Sequence, residues 1–144
     1  MNEPLVKRVR VRCNIERAFE AFTDQVNIWW PLGHRRLDGA RLVLETKIGG
    51  RFFERSDAGK EFQLGEILKC DPPMGLSFTW ALGAISKPTR VDIDFEQDGE
   101  DTIVCVTHSE AESALGEVWP QRVVLFTKGW TSVLDALGKH LVVS

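Results

Sequence analysis

The sequence predicts an α+β fold in which a long C-terminal helix lies across a curved antiparallel sheet. Three observations predict it. A helical pattern runs from Pro120 to about Val143, the longest periodic stretch in the chain. Phe126, Trp130, Val133, Leu134, Leu137 and Leu141 recur at steps of 4, 3, 1, 3 and 4, which is one apolar face of a helix. Most of what precedes it reads as short strands joined by hairpin-length connections, and such strands form a meander. One long helix after a run of strands buries its stripe against the sheet, and the pair can enclose a cavity.

The elements follow in order. From Val6 to Cys13, Val9, Val11 and Cys13 alternate with Arg8, Arg10 and Arg12, a half-buried first strand with a basic outer face. Asn14 is a good N-cap for a short helix with Ile15, Ala18, Phe19 and Phe22 on its apolar side, ending near Asp24. Val26 to Trp30 reads as a second brief turn of helix, stopped by Pro31 and Gly33. Leu42, Leu44, Thr46 and Ile48 alternate in strand two, and Gly49-Gly50 breaks it as a turn or bulge. Strand three is Arg51 to Arg55, and Ser56 to Gly59 is a turn. Strand four is Glu61 to Cys70, closed by Asp71-Pro72-Pro73. Leu76, Phe78, Trp80 and Leu82 mark strand five; Val91, Ile93 and Phe95 mark strand six. Gln97-Asp98-Gly99-Glu100 is a hairpin turn, because Asp-Gly supplies positive φ cheaply. Thr102 to His108 is strand seven, and Ser109 to Glu117 loops into the long helix. Pro120 suits the first helical turn, where a missing N–H costs nothing.

At 144 residues, one domain spanning 1–144 is expected, large enough for a core without staples. The net charge of −3 gives no reason to expect nucleic acid. No apolar run is long enough for a membrane span. The N-terminus is charged and lacks a secretion signal, and Cys13, Cys70 and Cys105 form no CxxC pair. A reduced, cytoplasmic setting follows. His34, His108 and His140 are isolated, so no metal site is expected, and no cofactor is implied.

Several local motifs, in this order along nearly the whole chain, resemble one known family. They are Ile15 to Phe19, Trp29-Trp30-Pro31, Gly49-Gly50-Arg51-Phe52, and Gly65-Glu66-Ile67 leading to Asp71-Pro72-Pro73. Leu76 to Trp80, Val106-Thr107-His108, and Gly129-Trp130 with Leu134 and Leu137 complete the set. The family is that related to the activator of heat-shock protein 90 ATPase, within the START-like helix-grip (SRPBCC) superfamily. The resemblance implies a seven-stranded antiparallel sheet gripping the C-terminal helix, with two short helices after strand one and a cavity between sheet and helix. The family's name comes from co-chaperones that carry such a domain beside a separate chaperone-binding domain.

The candidate ligand-binding residues are Trp29, Trp30, Phe53, Trp80, His108, Phe126 and Trp130. Trp29 and Trp30 are adjacent and point in different directions, so one can pack in the core while the other lies at the cavity mouth. Trp80 and Trp130 look inward by alternation and by helical stripe, toward either a solid core or a pocket. Gly129 sits mid-helix, where it costs about 1 kcal/mol relative to Ala. His108 is the candidate catalytic residue: an inward imidazole could act as a general base or contact a ligand, and a structural histidine is the competing reading. The alternation leaves its direction open, because both faces of strand seven are apolar. Glu54 and Glu66 could face the cavity, where a carboxylate needs a partner.

The leading reading is a binder of a small apolar or amphipathic molecule. The alternatives are a small enzyme using a cavity His, and a chaperone-associated interaction module. A monomer and a homodimer are both compatible with the sequence.

Overall fold

Asn14 sets the entry to the first helix in the computed structural model, which describes residues 2–80, 87–111 and 115–142. Its side-chain oxygen accepts the Arg17 N–H at 2.9 Å, satisfying one of the donors that a helix N-terminus leaves without a partner. The helix, α1 (Ile15–Thr23), buries Ile15, Ala18, Phe19, Ala21 and Phe22 on one side. It follows β1 (Leu5–Val11), whose arginines point outward. One further turn, α2 (Val26–Trp29), ends at Trp30, whose extended backbone (ψ 128°) is what a residue before proline adopts.

The remaining strands are β2 (Arg41–Leu44), β3 (Arg51–Arg55), β4 (Glu61–Asp71), β5 (Gly75–Trp80), β6 (Thr89–Asp98) and β7 (Asp101–Ser109). They form one seven-stranded sheet in the order β1-β7-β6-β5-β4-β3-β2, antiparallel throughout. β2 to β7 make a meander, and β1 closes on β7. The long helix α3 (Trp119–Val142) packs along β1 and reaches α1 and α2. It buries Trp130, Val133, Leu134, Leu137 and Leu141, each contributing about 1.5–3 kcal/mol by burial. This is the predicted helix-grip architecture. Among the described residues, no helix is long and apolar enough to cross a membrane.

Two details differ from the sequence expectation. Strand two stops at Leu44 instead of continuing to Ile48. Glu45 turns the chain: its N–H donates to the Arg51 carbonyl at 2.9 Å and its carboxylate accepts the Arg51 N–H at 2.7 Å. Gly49 and Gly50 then exchange backbone hydrogen bonds with Ile67, leaving Ile48 in solvent. Gly49 takes φ +83°, and a Cβ on Gly50 would lie 2.9 Å from two carbonyl oxygens, so glycine is required at both. Second, a 3-10 turn (Gly116–Val118) leads into α3 where a loop was expected. On the outer face of the sheet, Arg10 of β1 reaches across β7 to Asp98 at the end of β6 and also pairs with Asp101, while Arg90 pairs with Asp92. Leu82 and Val143, expected in strand five and the long helix, lie outside the described residues, as do residues 112–114 of the expected loop.

Candidate functional site

Three indoles meet between α3 and the sheet. Trp30 arrives from the end of α2, where Pro31 stops the helix. Trp80 comes from β5, on the face shared with Leu76 and Phe78, and Trp130 from the apolar stripe of α3. Their ring centroids stand 6.3 Å (Trp30–Trp80), 6.2 Å (Trp30–Trp130) and 6.0 Å (Trp80–Trp130) apart. Phe52 lies against two of them, 5.7 Å from Trp30 and 5.9 Å from Trp80. Such aromatic pairs contribute about 0.5–1.5 kcal/mol each beyond burial, so the triad is a rigid floor.

A half-enclosed cleft of about 460 Å³ opens on this floor. Leu64, Leu125, Phe126 and Val133 extend its apolar wall, and His34, Arg35, Arg36, Arg122 and Lys128 supply its polar groups. Gly129 also lines it, and a Cβ there would meet no atom of the described residues within 4 Å. Among the described residues no contact demands this helix-interior glycine; what it does is leave wall space open.

His108 faces inward, with Thr102, Val104 and Val106. The Trp130 indole N–H donates to its Nδ1 at 3.0 Å. Nδ1 is therefore the unprotonated nitrogen, and Nε2–H donates to Thr89 Oγ1 at 2.7 Å. The Thr89 hydroxyl in turn donates to the Trp80 carbonyl at 3.1 Å. Phe126 lies over the imidazole at 4.2 Å and Trp119 stands edge-on at 5.9 Å. This burial pushes the pKa down to about 3, so the ring is neutral at neutral pH. Both nitrogens are engaged, and His108 is not part of the cleft wall. It ties α3 to β6 and fixes the Trp130 indole.

Of the seven candidates, Trp30, Trp80, Phe126 and Trp130 come together at the cleft. Trp29, Phe53 and His108 do not. Trp29 is the core member of the adjacent pair: its indole donates to the Ala21 carbonyl at 2.7 Å and packs on Phe22. Phe53 sits on the face of β3 opposite Phe52, beneath the guanidinium groups of Arg51 (4.0 Å) and Arg55 (5.2 Å).

Glu54, on the inner side of β3, is fully buried. Its carboxylate accepts the Arg36 N–H at 2.8 and 2.9 Å and the Leu37 N–H at 2.9 Å. Its partners are thus backbone groups of the loop that precedes β2, while Glu66 is exposed. Beside it, Arg35 spends four hydrogen bonds of 2.8 Å on Asn27 Oδ1 and the carbonyls of Asn27, Trp30 and Ala40. Burial lowers the Arg35 pKa, and the charge of Glu54 opposes that shift. Together they pin the segment that carries His34 and Arg36 over the cleft. Two buried donors on wall residues, Trp30 Nε1 and Arg35 Nε, have no partner among the described residues.

The sequence matches the family of Activator of Hsp90 ATPase homolog 1-like proteins over residues 12–142. The chain belongs to this family. No curated protein sequence matches it. Among solved structures it is similar to CalC, a self-sacrificing resistance protein from Micromonospora echinospora, with TM-score 0.75 and 26% identity over 96% of this chain and 94% of that one. It is also similar to Txn09, an anthrahydroquino-γ-pyrone synthase, with TM-score 0.60 and 26% identity over 99% of this chain and 97% of that one. CalU16, also from Micromonospora echinospora, shares the fold at TM-score 0.68 and 22% identity, over 96% of this chain and 75% of its own.

In this member of the family the site offers flat apolar surface and hydrogen-bond donors. Among the described residues, the cleft wall carries no carboxylate, and no cluster of three or more His, Cys, Asp or Glu is placed to hold a metal.

Proposed function

We propose that this chain binds a small apolar or amphipathic molecule in the cleft between α3 and the sheet. The observation that carries the reading is the open cleft floored by Trp30, Trp80 and Trp130. About 460 Å³ is a usual size for a small-molecule site, and an apolar wall with a few polar groups is the usual lining. The reading is of a binder that does not use His108 as a base, because that imidazole is committed to Trp130 and Thr89. The three half-buried free cysteines suit a reducing compartment, which supports a cytoplasmic setting.

Tryptophan emission tests it. Titration with 2-naphthoate, 2-naphthylmethanol and decanoate is expected to give a saturable, one-to-one change with at least one probe. Gly129→Leu, which projects into empty cleft space, is expected to weaken that binding at least about tenfold while leaving the circular dichroism spectrum unchanged. No change with any probe at about 1 mM, where even weak affinity of about 4 kcal/mol registers, overturns the reading.

A further inference from the structure

We propose that the occupant of the cleft is an anion: an apolar ring system or chain bearing one acid group, with the acid held at the rim by Arg36, Arg122 and Lys128. The proposal rests on the cleft-binding reading and names the chemical class.

The first support is a separation of charge. The chain has 21 acidic and 18 basic residues. Four of its Arg and Lys line this cleft and, among the described residues, none of its Asp and Glu do. Arg35 is balanced by the buried Glu54 carboxylate behind it. The other three cations make no ion pair among the described residues. Like charges lining one cleft beside an apolar wall repel one another and raise a positive potential in it. An anion relieves that repulsion.

The second support is the kind of hydrogen-bonding group left over. The guanidinium groups of Arg36 and Arg122 and the ammonium group of Lys128 are all donors. What the site lacks is acceptors, and a carboxylate, sulfonate or ionised phenol is rich in them.

The third is placement. Arg122, Phe126, Gly129, Trp130 and Val133 share one face of α3. Arg122 lies eight residues before Trp130, about 12 Å along the helix axis. The triad is buried, whereas Arg36 and Lys128 are exposed and Arg122 half-buried. Arg122 is therefore set apart from the buried floor along the helix, and Arg36 and Lys128 lie on the solvent side of the cleft. The buried Glu54 fixes the backbone of Arg36, so the attachment point of one cation is set before any ligand arrives.

The test compares three probes sharing one ring system: 2-naphthoate, neutral 2-naphthylmethanol and cationic 2-naphthylmethylammonium. Tryptophan fluorescence at low salt is expected to show the carboxylate binding at least about tenfold tighter than the alcohol, with the cation weakest. Raising salt from about 50 to 500 mM should weaken the carboxylate severalfold and leave the alcohol unmoved, a readout that needs no variant. Arg36→Gln and Lys128→Gln change exposed side chains, and each should cost the carboxylate about three- to tenfold while sparing the alcohol. Equal binding of alcohol and carboxylate overturns the anion proposal and leaves the cleft reading standing. A substitution that weakens both probes equally also overturns it. Failure of all three probes overturns both.

Discussion

His108 gives the fold a specific acid sensitivity. The unfolded chain carries an ordinary imidazole of pKa 6.5, and burial in the fold pushes it down to about 3. Between those values the unfolded state binds a proton that the folded state refuses. There is no cost above about pH 6.5; below it stability falls as the pH drops, until the folded ring also protonates near pH 3. At pH 5, 1.5 units below the unfolded value, the loss is about 2 kcal/mol at 1.36 kcal/mol per unit. This figure is insensitive to the folded value so long as that lies well below 5. For a chain of this size it lowers Tm by roughly 6–8 °C. Thermal or urea melts at pH 7.5 and pH 5 measure it, with His108→Asn as the comparison. Asn does not titrate and keeps an acceptor for the Trp130 indole. Its own stability falls at both pH values, yet its difference between them should be smaller by about 2 kcal/mol. His140, also shifted down by burial, is present in both proteins and cancels, as do Glu61 and Glu110, whose hydrogen bonds move them lower still. Equal pH dependence in the two proteins would refute the buried, neutral imidazole.

Glu54→Ala strips the acceptor from the Arg36 and Leu37 N–H groups and leaves Arg35 without its counter-charge. It should cost about 3–5 kcal/mol in denaturant melts, and a loss under about 1 kcal/mol would show that the carboxylate does not hold this loop. Trp29→Phe should destabilise by about 1 kcal/mol more than Trp30→Phe, since only Trp29 has a hydrogen-bonded indole to lose; the reverse order in the same melts contradicts that assignment. Gly129→Ala should raise stability by about 0.5–1 kcal/mol, because the added Cβ meets nothing and the helix gains propensity. A lowered Tm would mean the glycine serves the packing of α3.

The fold was largely legible because its elements carry clean periodicities: the α3 stripe, the alternation of β5 and β6, the Asn14 cap. Strand two was overread because alternation continues past Leu44, while the turn is set by Glu45 bonding to Arg51, a contact six residues away. The direction of His108 was illegible because Ile103 and Cys105 are as apolar as Val104 and Val106, although the outer pair is only half-buried. Phe53 was misplaced for want of one clue present in the sequence. Adjacent strand residues cannot both face inward, and Arg51 and Arg55 at two residues either side marked its face as the outer one. Arg122 could have been found, as it extends the Phe126 stripe by one turn. Arg36 could not, because a loop has no period and its position depends on a carboxylate eighteen residues away. Thr89 as the partner of His108 required the β6–β7 register.

The most direct test of the cleft is a proton–nitrogen NMR titration of the indole N–H signals with 2-naphthoate, each signal assigned from its Trp→Phe variant. The account predicts that the resonances of Trp30, Trp80 and Trp130 move together and saturate. Those of Trp29 and Trp119, bonded to the carbonyls of Ala21 and Glu3, should stay in place. Movement confined to Trp29 or Trp119, or no saturable movement at all, would contradict it.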